Sequence, residues 1–163
     1  MSGMFNEYFS LEELNLFNFD IRKTIFMTGI FAGCSSLKFL DILNFNTNNM
    51  RYMFYECVSL EEIIISNFDT ENINDMGYLF YKLLPVKKIN ISNFNTKNDK
   101  NMKNMLSECL LEELNLSHCN TNYVTDMSSM FSKCLALKKI DLSNFNTDNF
   151  ENKSFLLEKG INI

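Results

Sequence analysis

The chain has 163 residues, 46% of them apolar, and 15 basic against 20 acidic side chains give a net charge of −5. This composition supports a folded domain, and without a basic cluster it argues against nucleic acid or anionic membrane as a partner. No apolar run approaches the roughly 18 residues of a membrane helix, so no transmembrane segment is expected in this chain.

The opening residues, Met1-Ser2-Gly3-Met4-Phe5, already belong to a block that recurs along the whole length. Its consensus is Met-x-x-Met-Phe-x-x-Cys-x-Ser-Leu-x-x-Leu-Asp-Leu-Ser-Asn-Phe-Asn-Thr. Counted from the hydrophobe before the Phe, copies begin at Met4, Ile30, Met53, Leu79, Met105, Met130 and Leu156. The steps are 26, 23, 26, 26, 25 and 26 residues. A fixed period of this size means that no unit closes a core alone, so each buries its apolar side against the next. Residues 1–163 therefore read as one array of about six coils with partial ends. Neither end shows a polar capping unit, which suggests a fragment of a longer solenoid. No signal peptide precedes the first copy.

Within a copy, Leu-x-x-Leu-x-Leu-x-x-Phe comes next after the Cys: Leu11, Leu14, Leu16 and Phe19, then Leu37, Leu40, Ile42 and Phe45, and so on. Apolar residues two apart predict a short strand with both pointing inward. Six strands centred near Leu14, Leu40, Ile63, Ile89, Leu114 and Ile140 would pair in parallel as one sheet. The other half of the copy has a spacing of three and four, as in Val124, Met127, Met130, Phe131 and Cys134, which predicts one face of a short helical turn. The three residues missing before Met53 predict a helical turn that starts later there.

The stretch Thr121-Asn122-Tyr123-Val124-Thr125-Asp126-Met127-Ser128-Ser129-Met130-Phe131-Ser132-Lys133-Cys134, continuing to Leu142-Ser143-Asn144-Phe145-Asn146-Thr147, resembles leucine-rich repeats. More closely, it is similar to the BspA-like repeat family of bacterial and protist surface proteins. The resemblance covers nearly the whole chain. It implies an α/β leucine-rich-repeat solenoid, with a parallel β-sheet on one face and short helical turns on the other. It also implies a non-enzymatic protein-interaction role in adhesion or recognition, at a cell surface or secreted. An intracellular leucine-rich-repeat scaffold for protein assembly is the alternative.

The chemistry-bearing residues have structural readings. Cys34, Cys57, Cys109 and Cys134 share one repeat position, replaced by Tyr8 and Leu83 elsewhere, which marks a buried apolar slot and a reduced ladder of thiols. His118 beside Cys119 lacks an orienting third group, and neighbours leaving a strand point apart, so no nucleophile pair is expected. No pattern calls for a metal or any other cofactor. Asn-Thr or Asp-Thr after each Phe predicts side-chain bonding at the turn out of the strand. Glu12, Lys38, Glu61, Lys87, Glu112 and Lys138 alternate in sign at one position, which predicts cross-coil pairs that set register.

A partner site is expected on the outward strand residues. They are polar in the later copies, whereas the early copies place Phe17, Phe39, Leu43 and Ile64 close together, with Asp41 among them. An apolar patch on a polar sheet face has the composition of an interface for a protein or extracellular-matrix ligand.

Overall fold

The computed structural model describes residues 1–16, 26–42, 47–65, 68–146 and 148. Its repeating element is not a helix. In each of six segments (1–8, 27–34, 50–57, 76–83, 102–109 and 127–134) the backbone forms three successive β-turns. In the first, the N–H groups of Met4, Asn6 and Tyr8 donate to the carbonyls of Met1, Gly3 and Phe5. The intervening N–H groups, of Gly3, Phe5 and Glu7, donate instead to Thr28, Ile30 and Ala32 of the next segment at 2.7–2.9 Å. The same alternation joins each segment to its successor, three bonds at a time, through to Ser128, Met130 and Ser132.

The expectation of helical turns is therefore wrong, and the reason is physical. A helix sends every N–H to the carbonyl four residues back. Here alternate N–H groups belong to a neighbour, and two positions per segment lie in the left-handed region. The first segment uses Gly3 and Glu7, the second Gly29 and Gly33, the third Tyr52 and Glu56. Tyr78 and Lys82, Asn104 and Glu108, and Ser129 and Lys133 continue the series. Each is the third residue of a turn, where a type II turn requires positive φ. Tandem turns and helices both bring residues three apart to one side, so the Met and Phe spacing fits either.

The strand half is also less regular than expected. Four strands of three residues each form: β1 (Phe39–Asp41), β2 (Glu62–Ile64), β3 (Glu113–Asn115) and β4 (Lys139–Asp141). They make two separate two-stranded parallel sheets, β1–β2 and β3–β4, with Leu40 opposite Ile63 and Leu114 opposite Ile140. Around Leu14 only a single parallel bridge, Glu13 to Phe39, is present, and Ile89 lies in no strand. Leu37, Leu60 and Leu137 enter their strands on an N–H bond to the cysteine carbonyl three residues back. Val86, after Pro85, makes no such bond among the described residues, and neither does Leu111, which nevertheless leads into β3. The α/β leucine-rich-repeat solenoid with one continuous sheet is thus replaced by a turn-rich stack carrying two sheet fragments.

One apolar core runs through the stack. Phe5, Phe31, Phe54 and Phe80 pile ring over ring at 5.7–5.8 Å with planes within 7° of parallel. Phe31, Phe54, Phe80 and Phe131 are fully buried, each burial worth roughly 1.5–3 kcal/mol. The cysteine slot is buried as read, but with a polar purpose. The thiols of Cys34, Cys57, Cys109 and Cys134 donate to the carbonyls of Phe5, Phe31, Phe80 and Leu106 of the preceding segment at 2.9–3.1 Å.

A second column is made by threonine. Thr96 Oγ1 accepts from Asn120 N at 2.8 Å and donates to Asn120 O at 3.0 Å, and Thr121 does the same with Asn146. Asp69, Asn95 and Asn120 meanwhile accept the N–H two residues on. The short connection ahead of Met53 closes on the Thr47 hydroxyl, which accepts from Asn49 N at 3.2 Å.

Candidate functional site

The alternation along β1 turns Leu40 inward, fully buried, and leaves Phe39 and Asp41 on the outward side. Beside them lies a cavity of about 620 Å³, lined by Glu13, Asn15, Leu16, Lys38, Phe39 and Asp41. Phe39 stands 43% exposed at its wall. Of the five residues expected to meet a partner, Phe39 and Asp41 line this groove. Ile64 pairs with Asp41 across β1–β2 and is half-buried, but it is not part of the lining. Phe17 and Leu43 lie outside the described residues. Sequence reading missed Leu16 and Lys38, since it considered only the outward strand positions and not the concavity between copies.

The charges around Phe39 are unequal. Its register neighbours on either side are Glu13 and Glu62. Lys38 is engaged by Glu12 at 2.8 Å, and that pairing holds the Glu12 carboxyl below its ordinary range. Asp41 Oδ1 is buried and has no hydrogen-bond partner among the described residues. At the matching position Asn90, Asn115 and Asp141 each accept the N–H of Ser92, Ser117 or Ser143 at 2.9–3.1 Å. The matching donor for Asp41, the N–H of Leu43, lies outside the described residues.

A second cluster was not singled out from sequence. Tyr52 stacks on Tyr78 and Tyr55 on Tyr81, both at 4.9 Å, on the outer side of two adjacent turn segments. Arg51 covers the Tyr52 ring at 4.8 Å and donates to its hydroxyl, and Lys82 lies 5.3 Å over Tyr81. Ring faces are thus occupied by one another or by cations, so the quartet offers edges rather than a flat plate. The readable signal is Met-x-Tyr-x-Phe-Tyr in these two copies alone, where others carry Gly, Ala, Asn or Ser.

His118 and Cys119 do meet, with Nε2 3.5 Å from Sγ, contrary to the expectation that they point apart. Burial pushes the Cys119 thiol up to about 12, so it stays protonated at neutral pH and is no nucleophile. Among the described residues no group of three or more His, Cys, Asp or Glu side chains could hold a metal ion. Among the described residues no helix is long and apolar enough to cross a membrane.

Fold and groove together define a repeat protein whose copies are stitched by backbone bonds and whose surface carries an aromatic, acid-rimmed recess at Phe39. The chain belongs to the family described as Mycoplasma protein of unknown function, DUF285, which matches residues 1–87 and again 85–162. Neither a curated protein nor a solved structure matches it.

Proposed function

We propose that the chain is a non-enzymatic recognition module that binds a protein or extracellular-matrix partner through the groove at Phe39. The observation that carries this is a large aromatic ring left 43% exposed in a recess, with Glu13 and Glu62 as its register neighbours. Exposed aromatics in a recess are what interface centres supply to a partner. The similarity of the repeats to BspA-like proteins supports adhesion or recognition at a cell surface as its setting.

The test selects random twelve-residue peptides displayed on phage against the wild-type chain, then measures the selected clones on a Phe39→Ser/Ile64→Ser variant. Binding should fall at least tenfold, while thermal stability stays close to wild type because Phe39 is solvated and Ile64 only half-buried. Clones that bind the variant equally would place the site elsewhere. A variant that unfolds would show those side chains to be core.

A further inference from the structure

We propose that the tyrosine face of the turn segments joins two copies of this chain in an antiparallel, two-fold pair. The proposal is independent of the groove at Phe39, none of whose lining residues lies in a turn segment. Tyr52, Tyr55, Tyr78 and Tyr81, four of the six tyrosines of the chain, stand in segments 50–57 and 76–83. They form a two-by-two grid, stacked at 4.9 Å from one segment to the next and edge-on at 5.5 and 5.8 Å within each segment. All four are only half-buried, beside the fully buried Phe54 and Phe80. The third position of each segment takes positive φ, and Tyr52 and Tyr78 hold it at 58° and 57°, a conformation that bulky side chains seldom adopt. The fold does not require rings there, since Gly3 and Gly29 serve the same position in the first two segments. Tyrosine and arginine are what interface centres favour, and Arg51 lies over Tyr52 at 4.8 Å.

The charges select a second copy as the occupant. At the seventh position the four middle segments read Gly33, Glu56, Lys82 and Glu108, and at the second position Thr28, Arg51, Gly77 and Lys103. A two-fold axis running across the stack, between segments 50–57 and 76–83, lays each of these segments on the other segment of the second copy. Tyr52 then meets Tyr78 and Tyr55 meets Tyr81, so grid covers grid. Glu56 meets Lys82 twice, closing a square with the Lys82–Glu56 pair already present at 2.8 Å in each copy. Glu108 falls opposite Gly33, Arg51 opposite Gly77 and Lys103 opposite Thr28. Long side chains therefore face short ones, and no like charges face each other. Such a surface is self-complementary, as a closed two-fold interface must be.

Sedimentation equilibrium of the full chain, from about 1 to about 200 µM, should show a monomer–dimer equilibrium. Glu56→Lys alone and Lys82→Glu alone should each weaken the dimer at least tenfold, because each sets like charges face to face twice. Mixed in equal amounts, the two variants should form a heterodimer as tight as the wild-type dimer, since every facing pair is again opposite in sign. Mixing cannot restore a pair within one chain, so this result reads only the contact between copies. Tyr55→Ser/Tyr81→Ser should also weaken the dimer at least tenfold, with the circular dichroism of the wild type. Should that variant unfold, the mixing result decides alone. A monomer at every concentration would overturn the proposal, as would a dimer indifferent to loss of the tyrosines. Failure of the mixed variants to pair, or dimerisation of Lys82→Glu by itself, would overturn the antiparallel arrangement.

Discussion

Asp99 occupies the slot that Ile73 and Val124 fill in neighbouring copies, and like them it is buried. Asn101 N donates to its Oδ1 at 3.2 Å, while Oδ2 is buried without a partner. Burial above all, with the Asp75 carboxylate adding to it, pushes the Asp99 carboxyl up to about 8. The folded chain therefore holds this proton more tightly than the unfolded chain, whose carboxyl titrates near 3.8. Stability from this group is intact below that value and is lost as pH rises toward 8. Replacing Asp99→Val should raise the melting temperature, with a gain on the order of 2 kcal/mol at pH 8.5 and much less at pH 4.5. Melting curves at the two pH values check it, and equal gains would mean that the carboxyl is not neutral in the fold. The thiols give a second residue-level outcome. Burial raises Cys57 and Cys109 well above the ordinary thiol range, so both should react with a disulfide-exchange reagent only after denaturant is added. Rapid labelling of native protein would contradict the buried slot.

Left-handed residues decide the turn segments, and they can be tested in both directions. Gly29 has φ +60, and an added Cβ would meet nothing closer than 3.6 Å, so Gly29→Ala isolates the backbone cost. It should destabilise by about 1 kcal/mol, whereas Ser129→Gly, at φ +58, should be neutral or stabilising. Urea titrations of both variants would show it, and a stabilising Gly29→Ala would deny the conformation. Thr96→Val should cost about 1–3 kcal/mol, because it leaves Asn120 N and O without the hydroxyl that serves both. These elements also show how far the sequence can be read. The period, the inward leucines and the buried cysteine slot were legible because burial repeats with the copies. Parallel pairing at Leu40, Ile63, Leu114 and Ile140 followed from the same pattern. The turn segments were misread because three-residue apolar spacing serves tandem turns as well as helices, and non-glycine residues such as Tyr52 and Lys82 hide the positive φ. The sheet break at Ile89 was not legible, because Val86, Ile89 and Ile91 keep the apolar spacing of the copies that do form strands. At the groove, Phe39 was visible as a pattern break, whereas Asp41 is the consensus residue of its position, and the concavity beside them required atoms.

Across the whole molecule, each segment bonds only to its immediate neighbours, so stability is a chain of local junctions. Hydrogen exchange should be slowest at the cross-segment amides of Phe54 and Phe80 and faster at Phe5. Equal protection at all three would show all-or-none opening instead. The surface ion pairs contribute little by comparison: Lys38–Glu12 and Lys138–Glu112 are largely solvated on both sides. Raising salt from about 0.05 to about 0.5 M should therefore leave the melting temperature nearly unchanged. The alternating turn bonds have one more effect. Within the six turn segments each cross-segment N–H points toward the later copy, whereas Asn74, Lys100 and Thr125, ahead of them, donate back to the earlier one. Peptide dipoles of about 3.5 D thus add along the stack, as they do along a helix axis. The turn segments are a vector: their bonded carbonyls face the earlier copy and their cross-segment N–H donors the later one. A further copy on this side joins only with donors meeting carbonyls, so two like bonding faces cannot mate with each other. Lengthening by this route is head-to-tail, with a direction written into the backbone rather than into any side chain.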